Sequence, residues 1–208
     1  MEPTVEEILK HTEFDPSIVQ RVANRKVKVP IAIVPPNPSW PAHFAHIKSI
    51  ITTALPPSTA LCISHVGSTS VPNLPAKAVI DIDLTISNPV AEENYVPALE
   101  RAGFQFLFRE PEWCQHRFFV MNEPYHCNLH VFRPGAAELV RHLIMRDWLI
   151  SCEADRELYA SVKMGAAEIS ARLGETQVEY NSRKQQVIRQ ILERAFRAKG
   201  YLATKIEG

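Results

Sequence analysis

Eight consecutive positions, Val79-Ile80-Asp81-Ile82-Asp83-Leu84-Thr85-Ile86, constrain the fold of this chain more than any other stretch. Ile80, Ile82 and Leu84 alternate with Asp81 and Asp83, and a period of two is that of a β-strand. The alternation puts both carboxylates on one face and the aliphatic side chains on the other. The flanks are too apolar for a solvent-facing edge, so an interior strand of a covered sheet is expected. Two aspartates side by side on that face repel unless a cation lies between them. Mg²⁺ suits such a pair, because it is held by one or two carboxylates and completes its shell with water and substrate phosphates. The alternative is a half-exposed strand carrying two solvated aspartates.

Other strand patterns fall at 29–34, 61–66, 105–108, 117–121 and 128–132. Helical spacing appears at 41–55, 92–102, 136–150, 154–173 and 184–199, with Gly103, Gly174 and Gly200 as stops. Strands come mainly in the first two thirds and helices after them. The expected class is therefore α/β (α+β): a mixed sheet with flanking helices and a helical C-terminal subdomain. Residues 1–28 read as a helical extension, in which Thr4 with Glu7 forms a capping box and Asp15-Pro16 starts a second turn. Residues 29–200 read as the domain and 201–208 as a tail.

Composition removes several classes of function. Of 208 residues 46% are hydrophobic, which excludes wholesale disorder, and Lys plus Arg equals Asp plus Glu at 23 each. That balance argues against a broadly basic nucleic-acid face and against a polybasic membrane anchor. No apolar run approaches the ~20 residues that cross a bilayer. The acidic start, Met1-Glu2-Pro3-Thr4-Val5-Glu6-Glu7, lacks the pattern of a secretory signal, so a cytoplasmic protein is expected. No two of Cys62, Cys114, Cys127 and Cys152 have the spacing of a metal finger or redox pair.

Gly67-Ser68 stands at the end of the strand before the aspartates. A glycine lets backbone N–H groups approach an anion, and a serine hydroxyl adds a donor. Ahead of Asp81-Ile82-Asp83, that turn suggests a pocket in which one motif holds a triphosphate and the other the metal that neutralises it. The motif pair resembles the nucleotidyltransferase superfamily with the polymerase-β-type palm. More narrowly, His65-Val66-Gly67-Ser68-Thr69-Ser70-Val71-Pro72 with Pro75-Ala76-Lys77-Ala78-Val79-Ile80-Asp81-Ile82 resembles the GrpB family, sometimes found fused to a dephospho-CoA kinase domain. Val34-Pro35, Pro38 to Pro41, Arg117-Phe118-Phe119, Leu129-His130-Val131, Arg146 to Leu149, Tyr159 with Lys163, and Tyr180 with Lys184 extend the likeness over 29–198.

The resemblance implies metal-dependent transfer of a nucleotidyl group from an NTP, with ATP favoured, to a small-molecule acceptor. Where the acceptor is a carboxylate, the product is an acyl adenylate and an amine could take the acyl group to an amide. It implies Mg²⁺ or Mn²⁺ on Asp81 and Asp83. His130, standing where polymerase-type members carry a third carboxylate, would be the third ligand or the general base. Gly67, Ser68, Lys77, Arg117, Lys163, Tyr180 and Lys184 are the candidate nucleotide contacts. His65 and Arg146 are weaker candidates, and the basic run 21–28, outside the resemblance, reads first as a solvated helix end and linker and only second as a phosphate contact. A non-catalytic nucleotide-binding or interaction protein that keeps the fold is the competing reading.

Overall fold

The computed structural model describes residues 2–12 and 15–203. Six strands form one mixed sheet: β1 (Gln20–Arg21), β2 (Ala60–Val66), β3 (Ile80–Ile86), β4 (Gln105–Glu110), β5 (His116–Met121) and β6 (Cys127–Phe132), in the order β1-β4-β5-β6-β3-β2. All neighbours are antiparallel except β3 and β6, which run parallel. The aspartate strand is thus interior, flanked by β6 and β2.

Its aliphatic face builds the main core. Ile80, Ile82 and Leu84 meet Phe119, Leu129 and Val131 of the neighbouring strands and the buried side of α2 (Trp40–Ala54) and α3 (Val96–Arg101). Ile47 and Ile51, one turn apart on α2, are fully buried there. Each such side chain contributes about 1.5–3 kcal/mol of apolar burial. The polar face looks toward α4 (Ala137–Ser151), α5 (Glu153–Leu173) and α6 (Gln177–Ala198). Val71 and Leu74, in the loop leading to β3, pack with Leu149, Tyr159, Val187 and Ile191 and so anchor that loop to the helical layer.

Several boundaries depart from the sequence expectation. The 29–34 segment makes only a single bridge, Val34 with Ala76, because Pro30 lacks a donor and Pro35-Pro36 end the run. Its Ile31 and Ile33 pack on Tyr180, Ala166 and Ala167 instead. The 92–102 helix is split into a 3-10 turn (Glu92–Asn94) and α3, since Pro97 fits only a first turn. The last helix starts at Gln177 rather than 184, with the Thr176 N–H donating to Glu179 Oε2 at 2.6 Å. The N-terminal region is not wholly helical. After α1 (Val5–Leu9), with its Thr4–Glu7 capping box, and a 3-10 turn at Pro16–Ile18, it adds β1 to the sheet. Of the tail, Tyr201 and Leu202 pack on the α4–α6 core, and 204–208 lie outside the described residues. The four cysteines are free, and among the described residues no helix is long and apolar enough to cross a membrane.

Candidate functional site

Register assembles the site around β3. Asp81 stands opposite Val66 of β2 on one side and Asn128 of β6 on the other; Asp83 stands opposite Ser64 and His130. Gly67 follows β2 with a φ of +66°, and a side chain added there would run into the Asp81 carboxylate. Only glycine serves at this point, because the left-handed backbone and the close approach both exclude a Cβ. Ser68 opens a 3-10 turn and shares a hydrogen bond with Tyr159 of α5.

Three lysines share this end of the sheet. Lys77 donates from Nζ to Gln177 of α6. Lys163 of α5, 2% exposed, donates to the Pro75 carbonyl at 2.9 Å. Lys184 of α6 places Nζ 4.4 Å from the Tyr180 ring centroid. Burial pulls Lys163 down to about 7, with the Lys184 charge adding and Asp81 opposing. Burial likewise pulls Lys184 to about 8 against the attraction of Asp81. In the other direction, burial raises the Asp81 carboxyl, countered by the Asn128 hydrogen bond (2.8 Å) and by Lys77 and Lys184. The pocket thus holds more positive charge than it can comfortably desolvate, which is the electrostatic condition of an anion site.

The cation beside the second aspartate is a histidine. His142 of α4 places Nδ1 2.8 Å from Asp83 Oδ2. Burial is the largest single influence and opposes its charge, but the Asp83 charge and hydrogen bond, helped by Glu138 and Asp81, together hold His142 up at about 9. Asp83 Oδ1 is buried with no hydrogen-bond partner among the described residues. Such an oxygen suits a divalent cation, so the Asp81–Asp83 pair fits Mg²⁺ completed by water and phosphate. Among the described residues no group of three or more His, Cys, Asp or Glu is arranged to hold a metal. His130 is therefore not brought into a third-ligand position.

His130 nonetheless lies on the carboxylate face. Its Nδ1 is 3.0 Å from His116 Nε2, and His116 Nδ1 is 2.7 Å from Glu110 Oε2. Burial depresses both imidazoles, His116 to about 3 and His130 well below its ordinary range, and raises Glu110 to about 7. With Glu110 ionised, neutral His116 donates from Nδ1 and accepts at Nε2, so His130 donates from Nδ1. That order leaves the His130 Nε2 lone pair unprotonated, as a general base requires.

The other expected residues separate from the site. Arg117 alternates with Phe118, which is paired with His130, and so lies on the opposite face of the sheet. It is 4% exposed and donates to Glu92 Oε1 at 2.9 Å, which replaces the expected phosphate contact with a core ion pair. Tyr180, 1% exposed, is packed under Lys184 rather than open to a base. His65 pairs with Ile82 on the core face and stacks on Phe44. Arg146 is engaged by the His65 carbonyl and by Asp147. Asn128, His116 and Glu110 carry no sequence motif and are found through register, while His142 of α4 and Arg25 of the basic run 21–28 are found through their side-chain contacts.

A mixed sheet with paired aspartates on an interior strand, a glycine-serine turn beside them and helices over the polar face defines a nucleotidyltransferase-like α/β fold. The GrpB protein family model matches residues 30–194, and the chain belongs to the GrpB family. It is 40% identical over 166 residues to a UPF0157 protein of Halalkalibacterium halodurans, covering 79% of this chain and 82% of that one. It is 38% identical over 171 residues to a UPF0157 protein of Pseudomonas aeruginosa (81% and 69% covered). A dephospho-CoA kinase of Mycobacterium tuberculosis shares 30% identity over 172 residues, 70% of this chain but 42% of that protein. The crystal structure of conserved protein GrpB from Enterococcus faecalis superposes with a TM-score of 0.64 at 20% identity, covering 79% of this chain and 99% of that one.

Proposed function

We propose that this protein is a metal-dependent nucleotidyltransferase that moves a nucleotidyl group from an NTP, ATP for preference, to a small acceptor. One observation carries the reading: the Asp81 carboxylate lies between the Gly67 turn and the Asn128–His130 stretch of β6, within electrostatic reach of Lys77, Lys163 and Lys184. Asp81 and Asp83 would hold Mg²⁺, which when bound supplies Lewis-acid stabilisation of the phosphoryl oxygens. Ser68, Lys77, Lys163 and Lys184 hold the β- and γ-phosphates, and the Tyr180 ring positions Lys184. His130 Nε2 accepts the proton of an attacking hydroxyl or amine. The acceptor oxygen or nitrogen bonds the α-phosphorus as the bond to the bridging oxygen breaks, and pyrophosphate leaves. A carboxylate acceptor needs no proton removed and gives an acyl adenylate, open to an amine that would form an amide.

The test is thermal denaturation with Mg²⁺ and ATP, followed by pyrophosphate release with fractionated metabolite pools. A ligand bound only by the folded state at 100 times its Kd adds about 2.7 kcal/mol. Wild type should gain such a shift, and Asp81→Asn should lose its metal-dependent part. Equal shifts in both proteins would remove the metal assignment. Stabilisation without pyrophosphate release for any acceptor would support the non-catalytic reading instead.

A further inference from the structure

We propose that Arg25 binds the second substrate, gripping an oxyanion on the acceptor, which therefore carries a carboxylate or a phosphate. The proposal rests on the two-substrate reading above and adds to it the chemical class of the acceptor. Arg25 lies outside the family match, which begins at residue 30. Its backbone is nevertheless tied to the sheet on both sides. Gln20 and Arg21 pair with β4, and the Val22 and Ala23 N–H groups both donate to the Leu107 carbonyl, at 2.8 and 3.1 Å. Beyond them Gln105 clamps the chain, donating from Nε2 to the Asn24 carbonyl at 2.7 Å and accepting from the Lys26 N–H at 3.2 Å.

This brace delivers the guanidinium to the polar face. Its Cζ sits 5.6 Å from the Phe118 ring centroid, and Nη2 donates to Asn128 Oδ1 at 3.0 Å. The same Asn128 donates from Nδ2 to Asp81 Oδ1 at 2.8 Å, so one side chain links Arg25 to the proposed metal carboxylate. Arg109, Arg117, Arg141, Arg183 and Arg194 each meet a carboxylate directly, whereas Arg25 feels Asp81 only at longer range and its direct partners are a neutral amide and an aromatic face. A guanidinium carries five N–H donors in a planar fork matched to carboxylate or phosphate. Stacked on Phe118 and anchored at one edge, it keeps the rest of that fork for a ligand.

Position separates this ligand from the triphosphate. Gly67 and Ser68 lie at the end of β2, on one side of β3. Asn128, His130 and Phe118 belong to β6 and β5, on the other side. Arg25 lies on the side of the proposed base, where an acceptor must present its reacting atom, and its charge is felt by both His130 and Lys77, so affinity for a nucleotide analogue decides between acceptor and nucleotide.

The test uses the full chain with labelled arginine and asparagine side chains, saturated with Mg²⁺ and a non-hydrolysable methylene analogue of ATP. Sodium acetate and inorganic phosphate are titrated separately while the Arg25 Nε–H and Asn128 Nδ2 resonances are followed. At least one anion should shift both resonances saturably, and which one does so separates a carboxylate from a phosphate acceptor. Arg25→Ala should weaken that anion at least tenfold and Arg25→Lys less, with analogue affinity changed under twofold. No shift with either anion, or unchanged anion affinity in Arg25→Ala, would overturn the proposal. A tenfold loss of analogue affinity in Arg25→Ala would do so too, by assigning Arg25 to the nucleotide. Failure of wild type to bind the analogue would instead count against the transferase reading, and the same titration without nucleotide still reads Arg25.

Discussion

At the scale of single residues, the Asp83–His142 pair changes what the aspartates are expected to do. From sequence, Asp83→Asn would relieve repulsion; beside His142 it strips a cation of its nearer carboxylate and leaves it Glu138 at 3.6 Å. The pair is partly shielded, with His142 29% exposed and Asp83 1%, so the loss should fall between the surface and buried limits, about 1–3 kcal/mol. Because folding raises His142 from its ordinary value to about 9, its stabilisation is complete below about pH 6.5 and lost as pH rises through 9. Urea unfolding of the ligand-free protein should show wild type exceeding His142→Gln at pH 6.5 and the two converging near pH 10. A constant difference across that range would mean His142 contributes packing alone. Gly67→Ala meets both a forbidden φ and the Asp81 carboxylate, so it should cost about 1–3 kcal/mol and nucleotide binding together. Retention of full affinity in Gly67→Ala would show that the turn is not part of the pocket. On the neighbouring strands, burial takes His130 out of the physiological range and leaves Glu110, near 7, as the titrating member of its chain. Imidazole nitrogen shifts should therefore report His130 with its proton on Nδ1 at pH 8 and a change of tautomer as pH falls through 7. An Nε2-protonated His130 at pH 8 would end its assignment as base.

Elements carry most of what was legible beforehand. The aspartate strand could be read because both its faces are constrained, one by aliphatic packing and one by charge. β1 could not: it is two exposed residues, Gln20 and Arg21, with no pattern to read. Arg117 shows the deeper reason for the misses. Alternation says that Arg117 and Phe118 face opposite ways, but only pairing of Phe118 with His130 says which way is which. Register is a property of two strands, which also explains Asn128, and His142 depends in turn on how α4 docks against β3. The start of α6 at Gln177 likewise moves Lys184 from a helix start into the helix, onto the ring of Tyr180. There it feels the charges of Asp81 and Lys77. Lys184→Ala should lower ATP affinity about tenfold and AMP affinity under threefold, and Tyr180→Phe should do neither, since it keeps the ring. Equal losses of ATP and AMP in Lys184→Ala, measured by calorimetry, would place Lys184 near the α-phosphate instead.

Over the whole molecule, the sheet and the helical layer meet at the proposed pocket. β3 brings carboxylates; α5 and α6 bring Lys163 and Lys184; the loop between β2 and β3 brings Ser68 and Lys77. In the ligand-free protein burial, with Lys184 and Lys77 acting on Lys163 and Lys77 acting on Lys184, holds Lys163 near 7 and Lys184 near 8, so at pH 8 Lys163 is mostly neutral and Lys184 about half charged. A bound triphosphate would favour the charged form of both, raising them toward the ordinary lysine value of about 10.4. Binding at pH 8 must then take protons from solution, while at pH 6 both lysines are already charged and uptake falls toward zero. Affinity follows the same sign: constant below about pH 6.5 and weaker as pH rises through 7 and 8. Calorimetry of Mg²⁺-ATP in buffers of different ionisation enthalpy reads this directly. Wild type should show uptake approaching one proton or more at pH 8, and Lys184→Ala a smaller value. Proton release, or uptake unchanged in Lys184→Ala, would mean that the phosphates lie elsewhere and that these lysines only join the helical layer to the sheet.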